Sequence, residues 1–300
     1  MFTLVQKFYL QILQKRIEHF FVDDLTYAKR VYRKKQGGVL NLDNPKFFSE
    51  KLQYLKLYYR NPLMRLCSDK LYAREYVKAC GYENILKKIY AVYNDVSEIN
   101  EKDLPPDYFI RWNHMSGGNF KIKGGNLPSE TRKLLSVFKK INWYYQGREW
   151  QYDQIQPKLI CEEVLQNKDG CSPADYKIYC FGGVVKYYMV SFGEYEHEHI
   201  NHKFKPDGTS IDKLFKDKET IAATDVPIPE NMQDMIRIAE HLSKPFPHVR
   251  VDFYNIDGRI IFGELTFLSN GGFVNIGNKQ FDEEIGSWIH LEDYKQDIVK

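Results

Sequence analysis

Long apolar runs, paired cysteines, internal repeats and a marked excess of either charge are all missing from this 300-residue chain. The longest amphipathic stretch, Met1 to Phe21, is interrupted by Lys7, Lys15, Arg16 and Glu18, too charged for a signal peptide or a spanning helix. Cysteine occurs five times, at Cys67, Cys80, Cys161, Cys171 and Cys180, an odd number without paired spacing. That argues for reduced thiols, against a structural zinc site, and for a cytosolic protein. Lys and Arg number 43 against 40 Asp and Glu, so nothing in the balance asks for a nucleic-acid partner. A pI near 8.4 suits anionic small molecules or a weakly attracting anionic surface. No nucleophile elbow is present, which removes the simplest signature of a serine hydrolase.

What the chain does have is length for a buried core, many tyrosines (22), and a change of texture along its course. Leu4, Val5, Phe8, Ile12, Leu13, Ile17, Phe20 and Phe21 recur at near-helical intervals, a stripe expected to pack on the protein, with a helix lying on a membrane surface as the alternative. Helical pattern continues to about residue 80, with basic exposed faces at Lys29-Arg30 and Arg33-Lys34-Lys35 and a break at Asn44-Pro45. From Ile89 the pattern predicts strands at Lys88 to Tyr93, Tyr108 to Trp112 and Phe120 to Lys123, a helix from Ser129 to Ile141, and a strand from Leu159 to Leu165. A hairpin over Asp175 to Ser191 is expected to turn at Gly182-Gly183, followed by a polar loop to Thr224 and a helix from Glu230 to Ser243. The division expected is a helical region (1–80), a small lobe with a glycine loop (81–158) and a large lobe with a metal-binding hairpin (159–300).

The segment Val249 to Phe267 carries the most chemistry. Asn255 and Gly258 suit the ends of a type I turn in a three-residue loop, which pairs Asn255 with Arg259, Arg250 with Glu264 and Asp252 with Phe262. Arg250, Asp252, Phe262, Glu264 and Thr266 then share one face, while Val249, Val251, Phe253, Ile261, Leu265 and Phe267 share the other. Two carboxylates beside an arginine suit Mg²⁺ and nucleotide phosphates. An ordinary surface ion-pair ladder accounts for the same residues. A two-residue loop would send Asp252 and Glu264 to opposite faces.

Other pieces are weaker alone. Ser116-Gly117-Gly118 between strands is able to cover phosphates with backbone N–H groups, or to serve as a plain turn. Arg111 ends the preceding strand, and Glu162-Glu163 interrupts an apolar strand that includes Leu165, where free backbone groups and a carboxylate suit an adenine edge or ribose. Lys177 is a further strand cation, with Tyr179 on its face. His197 and His199 would share a strand face, but their setting reads as a polar surface or substrate loop.

In order, these fragments resemble the ATP-grasp superfamily, and more closely the TupA-like ATP-grasp proteins associated with teichuronopeptide and capsular polysaccharide synthesis. The resemblance runs from about Asn44 to Ile289. It is carried by Phe48-Ser49-Glu50-Lys51-Leu52-Gln53, Asp69-Lys70, Arg74-Glu75-Tyr76-Val77, Asn113-His114, Ser116-Gly117-Gly118-Asn119, Tyr144-Tyr145, Gly147-Arg148-Glu149-Trp150, Glu162-Glu163, Asp175-Tyr176-Lys177, Arg250-Val251-Asp252-Phe253 and Gly263-Glu264-Leu265-Thr266-Phe267. D-alanine–D-alanine ligases share the same order.

The resemblance implies an α+β ATP-grasp fold, two lobes enclosing a nucleotide cleft behind a helical N-terminal region. It further implies an ATP- and Mg²⁺-dependent carboxylate–amine ligase of surface polysaccharide assembly, cytoplasmic or peripheral to the membrane, whose partners are a small or glycan carboxylate and an amine. By the same resemblance Lys70 and Arg111 would neutralise phosphates, with Ser116, Gly117 and Gly118 covering them. Glu162, Glu163 and Leu165 would hold adenosine, Asp252, Glu264 and Thr266 would hold Mg²⁺, and Lys177 and Arg250 would steady the transferred phosphoryl group. Arg111 stands where most relatives have lysine, and Thr266 where many have asparagine. A sugar kinase, a glycosyltransferase and a non-catalytic nucleotide- or glycan-binding protein are the alternatives.

Overall fold

In the computed structural model, residues 4–168, 170, 172–192, 200–215, 226 and 228–300 are described. The helices of the first eighty residues are α1 (Leu4–Phe21), α2 (Asp24–Gln36), α3 (Phe48–Tyr58), α4 (Pro62–Ser68) and α5 (Tyr72–Ala79). No helix among the described residues is long and apolar enough to cross a membrane. Two compact units form, each assembled from separated segments: residues 1–27, 65–76 and 87–164 in one, and 28–64, 77–86 and 165–300 in the other.

The first unit holds an antiparallel sheet of β1 (Ile89–Tyr93), β2 (Tyr108–Trp112), β3 (Phe120–Ile122) and β4 (Leu159–Glu162), in the order β1-β4-β2-β3. Alternation sets its core: Tyr108, Ile110 and Trp112 of β2 are fully buried, while Phe109 and Arg111 point the other way. Helices α6 (Ser129–Phe138) and α7 (Tyr144–Gly147) follow β3, and Leu135 of α6 offers its carbonyl to Trp112 Nε1 at 2.9 Å. That bond satisfies the one polar atom of the largest buried side chain. Cys161 and Leu159 of β4 join the same core, and both are wholly buried. The helix expected to reach Ile141 ends at Phe138, and the strand expected to reach Leu165 ends at Glu162.

The second unit is built on a five-stranded antiparallel sheet, β7-β6-β5-β8-β9, comprising β5 (Asp175–Phe181), β6 (Val184–Phe192), β7 (Ile200–Phe204), β8 (His248–Ile256) and β9 (Arg259–Thr266). Helix α8 (Met232–Ser243) lies against β5, β6 and β8, burying Met235, Ile236, Ala239 and Leu242. Helix α9 (Lys279–Ser287) pairs with α3. Within the segment expected to be a loop as far as Thr224, residues 200–204 form a strand, while 193–199 and 216–225, with His197 and His199, lie outside the described residues.

The β8–β9 hairpin differs from its expected geometry. Ile256 pairs with Arg259, leaving a two-residue loop in which Asp257 (φ 51°) and Gly258 (φ 84°) are both left-handed, as a type I′ turn requires. A loop of two residues ought to separate Asp252 from Glu264. It does not, because the register shifts between Asp252 and Phe253: Phe253 faces Phe262, and Asp252 then faces Glu264, with Gly263 the extra residue. Gly263 permits this because a Cβ there would stand 3.0 Å from the Asp252 carbonyl oxygen. Arg250 consequently pairs with Thr266 instead of Glu264, and Phe262 joins Phe253 on the apolar side, with Ile261 opposite Tyr254.

Candidate functional site

In the second unit, register alone gathers a polar face. Lys177 of β5 lies opposite Asp252 of β8, which lies opposite Glu264 of β9; Tyr179 lies opposite Arg250, which lies opposite Thr266. Directly opposed residues of antiparallel strands share a face, so these six side chains form two adjacent rows. On the next row Asp175 faces Ser191, which faces Asn201.

Hydrogen bonds tie the rows together. Arg250 grips Asp252 in a fork, Nε to Oδ1 at 2.7 Å and Nη2 to Oδ2 at 2.5 Å. The same guanidinium donates to Thr266 Oγ1 and to Ser269 Oγ, each at 3.2 Å, and lies 3.6 Å from Glu264 Oε1. Thr266 Oγ1 in turn donates to Glu264 Oε1 at 2.8 Å. Lys177 pairs with Asp175 and donates to Ser191 Oγ at 3.2 Å, and Ser191 passes a 2.6 Å bond to Asn201 Oδ1. Burial pushes the Asp252 carboxyl up to about 7 against the pull of Arg250, with Asp175 and Glu264 adding like charge. Glu264 is the solvent-facing member, its side chain 40% exposed where that of Asp252 is 6%.

Among the described residues no group of three or more His, Cys, Asp and Glu assembles as a metal cluster. The opposed pair Asp252 and Glu264 fits a hard divalent cation of the Mg²⁺ type, which takes one or two carboxylates and completes its shell with water and phosphate oxygens. A buried carboxylate held above its ordinary range gains from a second positive charge.

In the first unit the glycine loop follows β2. Gly117 and Gly118 take φ of 76° and 67°, which a side chain would resist, and the backbone there turns back on itself. Lys70 reaches this loop, donating from Nζ to the Met115 carbonyl at 2.6 Å. Its placement depends on Asn113, which donates to Asp69 Oδ2 at 2.7 Å and accepts from Lys158 N at 2.6 Å, tying the start of α5 to the end of β2. Ser116 and Gly117 are exposed.

Arg111 and Glu162 meet directly. Arg111 Nε lies 2.9 Å from Glu162 Oε1, which also accepts from Lys87 Nζ at 2.8 Å, and Arg111 Nη2 donates to Oε2 at 3.3 Å. Burial works to raise this carboxyl, but Arg111 and Lys87 outweigh it and hold it down to about 2. Two cations on one carboxylate leave an excess of positive charge, and burial together with Arg111 pushes the Lys87 ammonium below its usual range. Glu163 turns back to its own sheet, its Oε1 accepting from Lys88 N at 2.8 Å. Leu165, half-buried, belongs to the second unit.

The structure therefore brings together Lys70 with the Ser116–Gly118 loop, Arg111 with Glu162, and Lys177, Arg250, Asp252, Glu264 and Thr266 on one sheet face. Lys87, Ser191 and Asn201 were given no role from sequence, and Asn113 figured there only as part of a family fragment. Ser191 had a usable signal, since the hairpin expected over Asp175 to Ser191 joins its two ends; Asn201, opposite Ser191, had none, because it lies in a stretch read as loop. Lys87 had none, being one of two adjacent lysines in a loop. His202, last of the histidine-rich run, is a buried partner of Asp212, with Nδ1 to Oδ2 at 2.8 Å.

A sheet with a glycine loop between strands, and a second antiparallel sheet presenting an opposed acid pair, are the parts of an ATP-grasp fold. The chain belongs to the TupA-like ATP-grasp family, whose model matches residues 50–290. No curated protein matches it significantly. Among solved structures it is similar to the D-alanine–D-alanine ligase of Bacillus anthracis (12% identity, 77% of this chain and 69% of that one, TM-score 0.45). It is also similar to the ATP-grasp ligase PsnB with its minimal precursor (13%, 77% and 62%, TM-score 0.42) and to the VanG D-Ala:D-Ser ligase of Enterococcus faecalis (16%, 75% and 61%, TM-score 0.42). This chain spans less than two thirds of PsnB, and at these distances the family match alone carries the assignment.

Proposed function

We propose that the protein is an ATP-dependent carboxylate–amine ligase that forms an amide through an acyl phosphate in the assembly of a capsular or other surface polysaccharide. The observation that carries this reading is the opposed pair Asp252 and Glu264 with Arg250 forked onto Asp252, in a chain of the ATP-grasp family. Asp252 and Glu264 would hold Mg²⁺, with the Thr266 hydroxyl beside them, and the ion would supply charge neutralisation on the nucleotide phosphates. Lys70 and Arg111 would bind phosphate oxygens and the Ser116–Gly118 backbone would cover them. Adenosine would meet Glu163, Leu165 and the strand-end backbone, while Glu162, ion-paired on both oxygens, would act chiefly by fixing Arg111.

The substrate carboxylate would attack the γ-phosphorus, breaking its bond to the ADP leaving oxygen. The amine nitrogen would then add to the acyl carbon, lose a proton and expel phosphate. Arg250 and Lys177 would steady charge on the phosphoryl group in flight, so that the work is positioning and electrostatics. Surface polysaccharide chemistry rests on the family and makes uronic acids and amino acids the carboxylates to screen. Release of ADP that requires both a carboxylate and an amine, and that falls at least a hundredfold in Glu264→Gln with the fold intact, is the expected result. Turnover unchanged in that variant would remove the metal assignment, and a phosphorylated sugar formed without amine would favour a kinase.

A further inference from the structure

Helix α1 presents two opposite chemistries. Ile12 is buried in the first unit's core, Lys15 Nζ donates to the Gln146 carbonyl at 3.0 Å and to its side-chain oxygen at 2.8 Å, and His19 lies 2.9 Å from the Tyr144 hydroxyl. At about 100° per residue these three positions fall on one side of the helix. Leu10, Leu13, Ile17, Phe20 and Phe21 fall within an arc of about 100° on the other side. All five are exposed, Ile17 by 50%, Phe20 by 75% and Phe21 by 83%. Of the stripe positions whose side chains are described, Ile12 packs on the protein as expected, while Leu13, Ile17, Phe20 and Phe21 face solvent. Isolated exposed apolar side chains need no explanation, but five in register along one helix do.

The charge of the chain is uneven in the same region. Residues 1–36 hold eight Lys and Arg against three Asp and Glu, whereas the remaining 264 hold 35 against 37, out of 43 and 40 for the whole chain. The chain's positive excess therefore lies entirely in this segment, which contains α1 and α2. Lys29, Arg30, Arg33, Lys34 and Lys35 of α2 are all exposed. An apolar face ending in two phenylalanines, followed by a cluster of cations, matches a surface that offers hydrocarbon and negative charge together. A second copy of the chain fits poorly, because Leu10, Leu13, Ile17 and Phe20 span fewer than two heptads where a coiled coil needs three or four.

We infer that α1 docks on an anionic phospholipid surface through Leu10, Leu13, Ile17, Phe20 and Phe21, with the basic residues of the first two helices supplying attraction. The inference stands apart from the ligase reading, since none of these residues belongs to the acid pair or the glycine loop. The test is flotation of the full-length protein with vesicles of phosphatidylcholine alone and with one third phosphatidylglycerol, beside Ile17→Glu/Phe21→Glu. Both changes fall on exposed positions, so the unfolding midpoint is expected to be unchanged. The expected result is recovery with the anionic vesicles only, lowered by salt and reduced at least tenfold in the variant. Equal flotation of variant and wild type, no flotation of either, or equal recovery on phosphatidylcholine alone would overturn it. So would a wild-type dimer that the variant converts to a monomer, which would give the stripe to a second copy.

Discussion

Lys87 shows most plainly how much one side chain organises. It is buried, its carbonyl accepts from Arg74 Nη2 at 2.7 Å, and its ammonium shares Glu162 Oε1 with Arg111. Lys87→Met keeps the length of the side chain and deletes one charge-assisted bond, leaving Glu162 to Arg111 alone. Burial and Arg111 disfavour this ammonium by more than Glu162 favours it, so its removal is expected to leave stability unchanged or raised, read as a midpoint in denaturant no lower than that of the wild type with an unchanged slope. A midpoint lowered by the equivalent of about 1.5 kcal/mol or more would show that the Lys87–Glu162 bond outweighs the cost of burying the charge. The shared face of Arg250, Asp252 and Glu264 was legible in sequence because strand alternation constrained it. The pairing of Lys87 was not legible, because a loop residue's partner is decided by tertiary packing, which no local pattern encodes.

At the scale of elements, the expectation for the β8–β9 hairpin had the wrong loop and the wrong partners for Arg250, Asp252 and Glu264, yet placed the two acids correctly on one face. Asp257-Gly258 is itself a type I′ signal, so the two-residue loop was available from the sequence. What restores the shared face is the extra residue at Gly263, and a lone glycine in a strand marks such a bulge or a close backbone approach. Gly263→Val would drive a branched side chain against the Asp252 carbonyl, 3.0 Å from the Cβ position. The expected outcome is a loss of about 1–3 kcal/mol of stability together with loss of Mg²⁺-dependent nucleotide binding, as the two carboxylates move out of register. Retention of both would mean that the bulge is not what aligns them. The helices and strands that were expected lie within a few residues of their places, with errors at ends such as Ile141 and Leu165, where the apolar pattern outlasts the hydrogen bonding, but β7 fell in a stretch read as loop and α7 and α9 were not foreseen.

For the whole molecule, the ordered motifs led to the same family that the match over residues 50–290 establishes. The composition of the two units out of separated segments lay beyond sequence reading, since contacts between distant stretches leave no periodic trace. A net charge of +3 also hid a basic N-terminal segment and a slightly acidic remainder. The central claim is that this chain binds Mg-ATP through Asp252 and Glu264. It is tested most directly by thermal unfolding with and without Mg-ATP, for the wild type and for Asp252→Asn/Glu264→Gln. Nucleotide at a hundredfold excess over its dissociation constant adds about 2.7 kcal/mol, a shift of several degrees in a chain of this size. A shift that requires Mg²⁺ and disappears in the double variant is the predicted result; no shift in the wild type, or an equal shift in both proteins, would contradict it.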